Sequence, residues 1–172
     1  MGESPIKYRN ANLDDRERIL QITDDVFGPS TFERNIEENF GLIDGKDWRW
    51  RKRRHVVADL DRSGAGCVVA EYQGRVIGYV TISYDREAKI GSIPNLAVDE
   101  AFGNRGIGRN LIEQALVEMA VSGMQVGRIE TLQQNDVGQH LYPDVGFEEV
   151  ARQVYFAMDL RSRKDYQAHA NG

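Results

Sequence analysis

Apolar residues recur every three to four positions in the first third of the chain, and this is the period of helices. Ile19, Ile22 and Val26 would share one face of a first helix. Asn12, with Asp15 three positions later, is the expected N-cap of that helix. The pattern therefore predicts that helices precede the main part of any sheet.

A second helix is indicated by apolar residues at four-residue spacing, namely Phe32, Ile36 and Phe40. Ser30 and Glu33 have the spacing of a capping box at its start. A third helix is predicted over residues 46–60.

A short opening strand is predicted over residues 6–11. After residue 65 the hydrophobic pattern changes from that of helices to that of strands. A hairpin, a strand, a long helix, a strand, a short helix and a last hairpin are predicted in that order. Their bounds are 67–72 with 75–84, 90–98, about 107–122, 127–135, 136–145 and 147–160. This order predicts an α/β fold with a mixed sheet between helices.

The 172 residues, of which 41% are hydrophobic, suffice for one well-covered core. We expect a single domain over residues 1–160 and a polar tail over residues 161–172. The net charge of −5 gives no general attraction to nucleic acid, and no apolar run approaches the roughly 20 residues that span a bilayer. Cys67 is the only cysteine and lies in an apolar strand, so a packed thiol in a cytoplasmic protein is expected.

Two charged surfaces are candidates for contact with a partner. Arg51 to His55 form a basic run on the third helix, and we interpret it as a solvated face or as a contact for an acidic partner. The first two helices carry several acids, which suit an amine substrate or are equally well explained as solvated helix faces. These acids are Asp24, Asp25, Glu33, Glu37 and Glu38.

The segment VDEAFGNRGIGRNL, residues 98–111, places a glycine cluster between a strand and a long helix. The glycine cluster is followed by Arg-Asn where a P-loop needs Lys-Ser or Lys-Thr, which excludes a P-loop. Its G-x-x-G-x-G spacing and its place after the fourth strand argue against a dinucleotide-binding fingerprint. Backbone N–H groups at a helix N-terminus can still bind a pyrophosphate, and Arg105 and Arg109 could add charge. A turn that only packs tightly is the alternative.

With NLAVDE before the cluster and QND and HLYPDVGF after it, the chain resembles the Gcn5-related N-acetyltransferase (GNAT) superfamily. The resemblance extends from about Ile6 to Leu160 and is densest from Ile93 to Phe147. It implies a mixed, mostly antiparallel central sheet of about six to seven strands, flanked by helices, with a splayed fourth strand. It also implies acetyl-CoA as co-substrate and no metal.

The resemblance also assigns roles to individual residues. Asn135 would reach the pantetheine arm, and Tyr142 would stand beside the thioester sulfur as the general acid, with packing against Phe147 as its alternative role. The fourth strand would pair with the pantetheine through Leu96, Ala97 and Val98. The pyrophosphate loop would consist of Gly103, Asn104, Arg105, Gly106, Ile107, Gly108 and Arg109.

Two positions depart from the family pattern. Gly103 stands where relatives usually carry Arg or Gln, so a side-chain contact is lost and a further bare amide is expected. Pro94 stands where many relatives carry the general base, and a proline inside a strand implies a bulge or splay. The base is therefore unassigned among Glu130, Asp85, His140 and a chain of waters.

These features favour an N-acetyltransferase that moves an acetyl group from acetyl-CoA to a primary amine by direct attack in a ternary complex. The acceptor would be a small-molecule or peptide amine, with no nucleic acid or membrane as partner. A non-catalytic acyl-CoA-binding or regulatory domain is the alternative. Such folds commonly dimerise through their last strands, which makes a homodimer a candidate assembly.

Overall fold

The computed structural model of the chain describes residues 5–166, which contain five strands and five α-helices. The strands are β1 (Lys7–Asn10), β2 (Gly66–Tyr72), β3 (Arg75–Asp85), β4 (Ile90–Val98) and β5 (Val126–Ile129). The helices are α1 (Arg16–Val26), α2 (Phe32–Phe40), α3 (Trp48–Asp61), α4 (Ile107–Val121) and α5 (Asp136–Val145). No helix in this part of the chain is long and apolar enough to cross a membrane.

The sheet has the order β1-β2-β3-β4-β5, with antiparallel neighbours up to β4 and a parallel pair of β4 with β5. The α/β fold with a mixed, mostly antiparallel sheet is thus confirmed. The number of strands is smaller than expected, because the last hairpin is not formed and residues 147–159 contain no strand. Val150 and Phe156 are each 93% exposed there, and alternating residues form a stable hairpin only when one face packs on a core.

Helices cover both faces of the sheet. The α4 face, formed where α4 packs on the sheet, is built from Val68, Ala70, Ile77, Val80, Ile82, Ile93, Ile107, Leu111, Ile112, Ala115 and Met119. The α1/α3 face, formed where α1 and α3 pack on the other side, is built from Ile19, Leu20, Ile22, Val56, Val69, Val76, Tyr79 and Ala97. The helical face expected of the first helix therefore does contribute to the core.

The helix starts show which polar residues direct the local fold. Asn12 and Asp15 form the expected capping box, although it closes a 3-10 turn that leads into α1. The expected cap of α2 at Ser30 is wrong, because Gly28–Ser30 form a 3-10 turn and the extended cap conformation falls on Thr31. The Thr31 side chain accepts the N–H of Arg34 at 3.2 Å.

Strand β4 is irregular at Pro94, as the sequence predicts. The pairs Thr81–Asn95 and Ser83–Ser92 with β3 differ in register by one residue, so β4 carries a bulge between them. On its other side β4 pairs with β5 only as far as Ile93, opposite Ile129. We call the point beyond this last pair, where β4 continues without β5, the fork. The splay of the fourth strand is therefore confirmed.

Candidate functional site

The glycine-rich loop connects the end of β4 to the start of α4. Asn104 and Gly106 both have positive φ, at 58° and 73°, and Gly106 is the N-cap of α4. The N–H groups of the first helical turn, from Ile107 to Arg109, have no acceptor within the helix. They add to the positive end of the helix dipole, so this terminus is suited to an anionic group.

Gly103 does not supply the bare amide that the sequence suggested. Its N–H donates to the carbonyl of Glu100 at 3.1 Å, because Gly103 is the C-cap of the 3-10 turn Glu100–Phe102. Its φ of −58° is open to any residue. The expectation of an additional free donor at this position is therefore wrong, and the available amides lie at the start of α4.

The two arginines of the loop both make contacts within the protein. Arg109 donates from Nη1 to the carbonyl oxygen of Asp144 at 3.0 Å, which ties α4 to the end of α5. The Arg105 guanidinium lies 5.4 Å from the centre of the Phe102 ring. The Arg109 guanidinium also lies 3.8 Å from the Asp144 carboxylate, which offsets part of its charge. The backbone amides are therefore the more direct donors.

Residues Leu96 to Val98 lie on β4 beyond the fork. Along one edge they pair with β3, opposite Val80, Tyr79 and Gly78. Along the other edge, no strand in the described part of the chain pairs with them. Because backbone groups of a strand point alternately to its two edges, this open edge offers N–H and C=O groups to an extended ligand.

Asn135 and Tyr142 come together through Thr131, a residue that the sequence analysis missed. Asn135 caps α5 by accepting the N–H of Gly138 at 3.3 Å, and its Nδ2 donates to Thr131 Oγ1 at 2.8 Å. Tyr142 is hydrogen-bonded to the same Thr131, and its ring meets Phe147 edge-on at 6.3 Å. The four-residue spacing between Thr131 and Asn135 is the only sequence feature that could have pointed to this contact. Thr131 precedes α5, however, so helical periodicity does not place it next to Asn135.

Burial raises the pKa of the Tyr142 phenol, and the hydrogen bond with Thr131 opposes this only in part. The hydroxyl is therefore protonated at neutral pH and can act as a donor. Both interpretations of Tyr142, packing against Phe147 and donating a proton, are compatible with this arrangement.

Of the three side chains considered as bases, one lies at the fork. Glu130 is exposed and directly follows Ile129, the last residue of β5 that pairs with β4. Asp85 lies at the opposite end of β4, where it pairs with Ile90 and its side chain accepts the N–H of Ala88. His140 is exposed, and its Nδ1 lies 2.7 Å from the carbonyl oxygen of Asp136. Within residues 5–166 no group of three His, Cys, Asp or Glu side chains could hold a metal ion.

The two charged surfaces expected from the sequence are partly paired with each other. Arg53 of α3 pairs with Asp24 at 2.8 Å and Arg51 with Glu37 at 3.3 Å, and His55 Nδ1 lies 2.5 Å from a carboxylate oxygen of Glu33. The interpretation as solvated faces holds for the exposed Asp25, Glu38 and Arg54. It does not hold for Arg51 and Arg53, because helix packing brings oppositely charged residues to them.

Comparison with known proteins gives matches at the levels of family, sequence and fold. The family model described as "Acetyltransferase (GNAT) family" matches residues 26–147. The chain is 28% identical over 147 residues to an uncharacterised N-acetyltransferase of Chlorobaculum tepidum. This match covers 86% of this chain and 78% of the relative. It is 33% identical over 72 residues, or 41% of this chain and 50% of the relative, to the ribosomal protein bS18 alanine N-acetyltransferase of Haemophilus ducreyi.

Solved structures share the fold at low sequence identity. The aminoglycoside N-acetyltransferase AAC(6')-Iy in complex with CoA matches with a TM-score of 0.67 and 16% identity, over 92% of this chain and 97% of that one. The PaiA N-acetyltransferase of Thermoplasma acidophilum in complex with coenzyme A matches with a TM-score of 0.66 and 19% identity, over 84% and 90% of the two chains.

Proposed function

Because the chain belongs to the acetyltransferase (GNAT) family, we propose that it transfers an acetyl group from acetyl-CoA to a primary amine. The observation that carries this proposal is the continuity of two features. The open edge of β4 ends at Val98, and the N-terminus of α4, with its unpaired amides, follows within one loop. A ligand with an extended amide-containing arm and a pyrophosphate has the chemistry that both features would bind.

The loop and strand residues divide the work of binding. The pyrophosphate would accept hydrogen bonds from the amides of Ile107, Gly108 and Arg109, with Arg105 adding charge. Asn104 and Gly106 supply the left-handed turns that shape the loop, while Gly103 closes the preceding 3-10 turn. The pantetheine arm would pair with the open edge at Leu96, Ala97 and Val98. The resemblance to the family assigns Asn135 a contact with the same arm.

The reaction is a direct attack in a ternary complex. The amine nitrogen forms a bond to the thioester carbon and the carbonyl oxygen takes up negative charge. The carbon–sulfur bond then breaks as the carbonyl re-forms, and the nitrogen gives up its second proton, which restores the Tyr142 hydroxyl. A backbone N–H near Leu96 would stabilise the oxyanion, as oxyanion-hole donors do. Tyr142 would donate its proton to the departing sulfur, since its hydroxyl is protonated at neutral pH.

The amine must lose a proton before it attacks, since a free alkylamine with a pKa near ~10.4 is mostly protonated at neutral pH. We assign Glu130 as the proton acceptor, because it lies at the fork where Pro94 replaces the acid of many relatives.

The matched proteins named as aminoglycoside and bS18-alanine acetyltransferases act on a small molecule and on a protein. For this chain the acceptor remains a small-molecule or peptide amine.

The proposal includes the organisation of the protein. We propose a single catalytic domain over residues 1–160 in the cytoplasm, with a homodimer as the candidate assembly. In the tail that follows, Arg161 donates to the carbonyl oxygens of Phe40 and Leu42, which ties the start of the tail to the end of α2. Residues 167–172 lie outside the described part of the chain.

A non-catalytic acyl-CoA-binding domain is the second candidate, and Pro94 in place of an acid favours it. Thermal stabilisation by acetyl-CoA, followed by thiol release with a panel of primary amines, separates the two. Stabilisation and release together support the enzyme, stabilisation without release supports the binding domain, and no stabilisation contradicts both.

The role of Tyr142 can be tested with a matched pair of variants. Tyr142→Phe should lower kcat by about 10²-fold with little change in acetyl-CoA affinity, since it removes only the proton donor. Tyr84→Phe is the control, because Tyr84 lies at the far end of β3, opposite Gly91, and should retain kcat. Full activity of Tyr142→Phe would remove the tyrosine from the mechanism.

A further inference from the structure

A polar network with a buried centre and two half-buried charged members lies directly beneath the fork. Its centre is Asn95, which is 3% exposed and belongs to β4 next to the bulge. We call Asn95, Thr81, Lys52 and Asp59 the Asn95 network. It lies on the α1/α3 side of the sheet, where α3 covers β3 and β4.

Every polar group of the Asn95 side chain has a partner in this network. Its Oδ1 accepts from Lys52 Nζ at 2.8 Å, and its Nδ2 donates to Asp59 Oδ2 at 2.8 Å and to Thr81 Oγ1 at 3.0 Å. The backbone N–H of Asn95 also donates to Thr81 Oγ1, at 3.1 Å. The side-chain amide is thereby held in one orientation.

Helix α3 supplies the two charges. Lys52 and Asp59 lie seven residues apart, which is about two helical turns, with the fully buried Val56 between them. The Lys52 ammonium also lies 4.2 Å from the centre of the Phe27 ring. Burial lowers the pKa of Lys52, while the nearby Glu33 and Asp59 oppose the shift. A cation and an anion thus approach the same amide from one helix face.

Such a network is a costly way to fill a core. Buried charges lose hydration, and apolar residues of similar volume often give equal or greater stability. This network lies at the bulge, where the register of the β3–β4 ladder shifts, and Thr81 accepts the N–H of Asn95 with a side-chain oxygen. The network thus lies where the backbone of β4 departs from the regular ladder with β3.

We propose that the Asn95 network is a positioning device that fixes β4 at the fork and so sets the backbone of Leu96 toward the thioester. Asn95 is then a positioning residue that acts through its neighbour in sequence. This inference rests on the proposed function, since Leu96 matters only if the open edge of β4 binds the pantetheine arm.

The test uses two variants of the network, one control variant and two probes. Lys52→Met and Asn95→Ala each remove part of the network, whereas Tyr79→Phe removes a hydrogen bond to Thr23 on the same face and leaves the bulge intact. Coenzyme A probes the whole site, and ADP probes the diphosphate site without a pantetheine arm. Affinities are measured by calorimetry, and kcat with acetyl-CoA and an active amine.

In Lys52→Met and Asn95→Ala we expect coenzyme A affinity to fall about tenfold and kcat about 10²-fold, as for a displaced reacting group, while ADP affinity is unchanged. Tyr79→Phe should leave the coenzyme A affinity, the ADP affinity and kcat unchanged. Equal losses for coenzyme A and ADP, or wild-type kcat and affinity in either folded variant, would overturn the inference. If the wild-type protein bound neither coenzyme A nor ADP, the proposed function itself would fail, which is a distinct result.

Discussion

The two faces of the sheet are built from different chemistry. On the α4 face, Leu111, Ile112 and Ala115 are fully buried among other apolar side chains. The α1/α3 face contains Tyr79 hydrogen-bonded to Thr23 at 2.7 Å, and it lies beside the Asn95 network. The α4 face anchors the helix whose N-terminus is proposed to bind pyrophosphate. The α1/α3 face, which is also mainly apolar but adjoins buried polar groups, lies under the strand that is proposed to bind the reactive arm.

This difference separates stability from positioning. Apolar contacts are non-directional, so the α4 face can stabilise the fold without determining the position of a single backbone group. Hydrogen bonds depend on distance and angle, so a satisfied polar network can fix a local geometry even when it adds little stability. Removal of buried apolar volume from the α4 face should therefore alter the free energy of unfolding more than removal of a single buried hydrogen bond on the α1/α3 face.

The largest effect is expected from removing apolar volume on the α4 face. Leu111→Ala should lower the free energy of unfolding by about 3 kcal/mol, because Leu111 is 0% exposed and a cavity would remain. Urea denaturation measures this change. Val117→Ala is the control on the same helix, since Val117 is 57% exposed, and it should stay within about 0.5 kcal/mol of wild type. Equal costs for both variants would contradict the apolar character of this face.

The next effect concerns α5, which packs against the α4 face. A Cβ on Gly138 would lie 2.8 Å from Asn135 Nδ2 and 2.9 Å from Thr131 Oγ1. Gly138→Ala should therefore cost about 2 kcal/mol of stability by overpacking and also reduce acetyl transfer. Gln139→Ala, an exposed neighbour in the same helix, should change neither quantity. A stable and fully active Gly138→Ala protein would show that the tight contact is not required.

A pH dependence is expected on the α1/α3 face, against which Cys67 packs. Burial raises the pKa of its thiol from 9.0 to about 12. The folded state then holds the proton that the unfolded chain releases, so this stabilisation is complete below pH 9 and is lost as the pH rises toward 12. Relative to Cys67→Ala, the wild-type free energy of unfolding should fall by about 1.4 kcal/mol between pH 8 and pH 10. A constant difference between the two proteins over that range would contradict the burial of the thiol.

The smallest effect is expected for the hydrogen bond between Tyr79 and Thr23 on the α1/α3 face. Tyr79→Phe should lower the free energy of unfolding by about 1 kcal/mol, because the Thr23 hydroxyl keeps its second bond, to the carbonyl of Ile19 at 2.8 Å. Chemical denaturation at neutral pH measures the change. A loss as large as that of Leu111→Ala would remove the proposed difference between the two faces.

Local signals made part of this structure predictable. The cap at Asn12, the span of α4, the span of α5 and the irregularity at Pro94 each depend on residues that lie close together in the sequence. The glycine-rich loop is predictable for the same reason. These features also carry the resemblance to the family, so the fold and the family follow from short segments.

The remaining features depend on residues that are distant in sequence. Lys52 and Asn95 are separated by 43 positions, and no periodicity relates them before α3 is placed on the sheet. The ion pair of Arg53 with Asp24 joins residues that the sequence suggested as two separate surfaces. The segment over residues 147–159 alternates like a strand, but its pairing depends on a partner surface that alternation alone does not specify.

Calorimetric titration of the wild-type protein with coenzyme A, with and without saturating ADP, tests the central claim most directly. Binding at the N-terminus of α4 and along β4 predicts a single site for coenzyme A, with ADP reducing the apparent affinity by competing for the diphosphate position. No binding of coenzyme A at millimolar concentration, or binding that ADP leaves unchanged, would contradict the assignment of the glycine-rich loop as the pyrophosphate site.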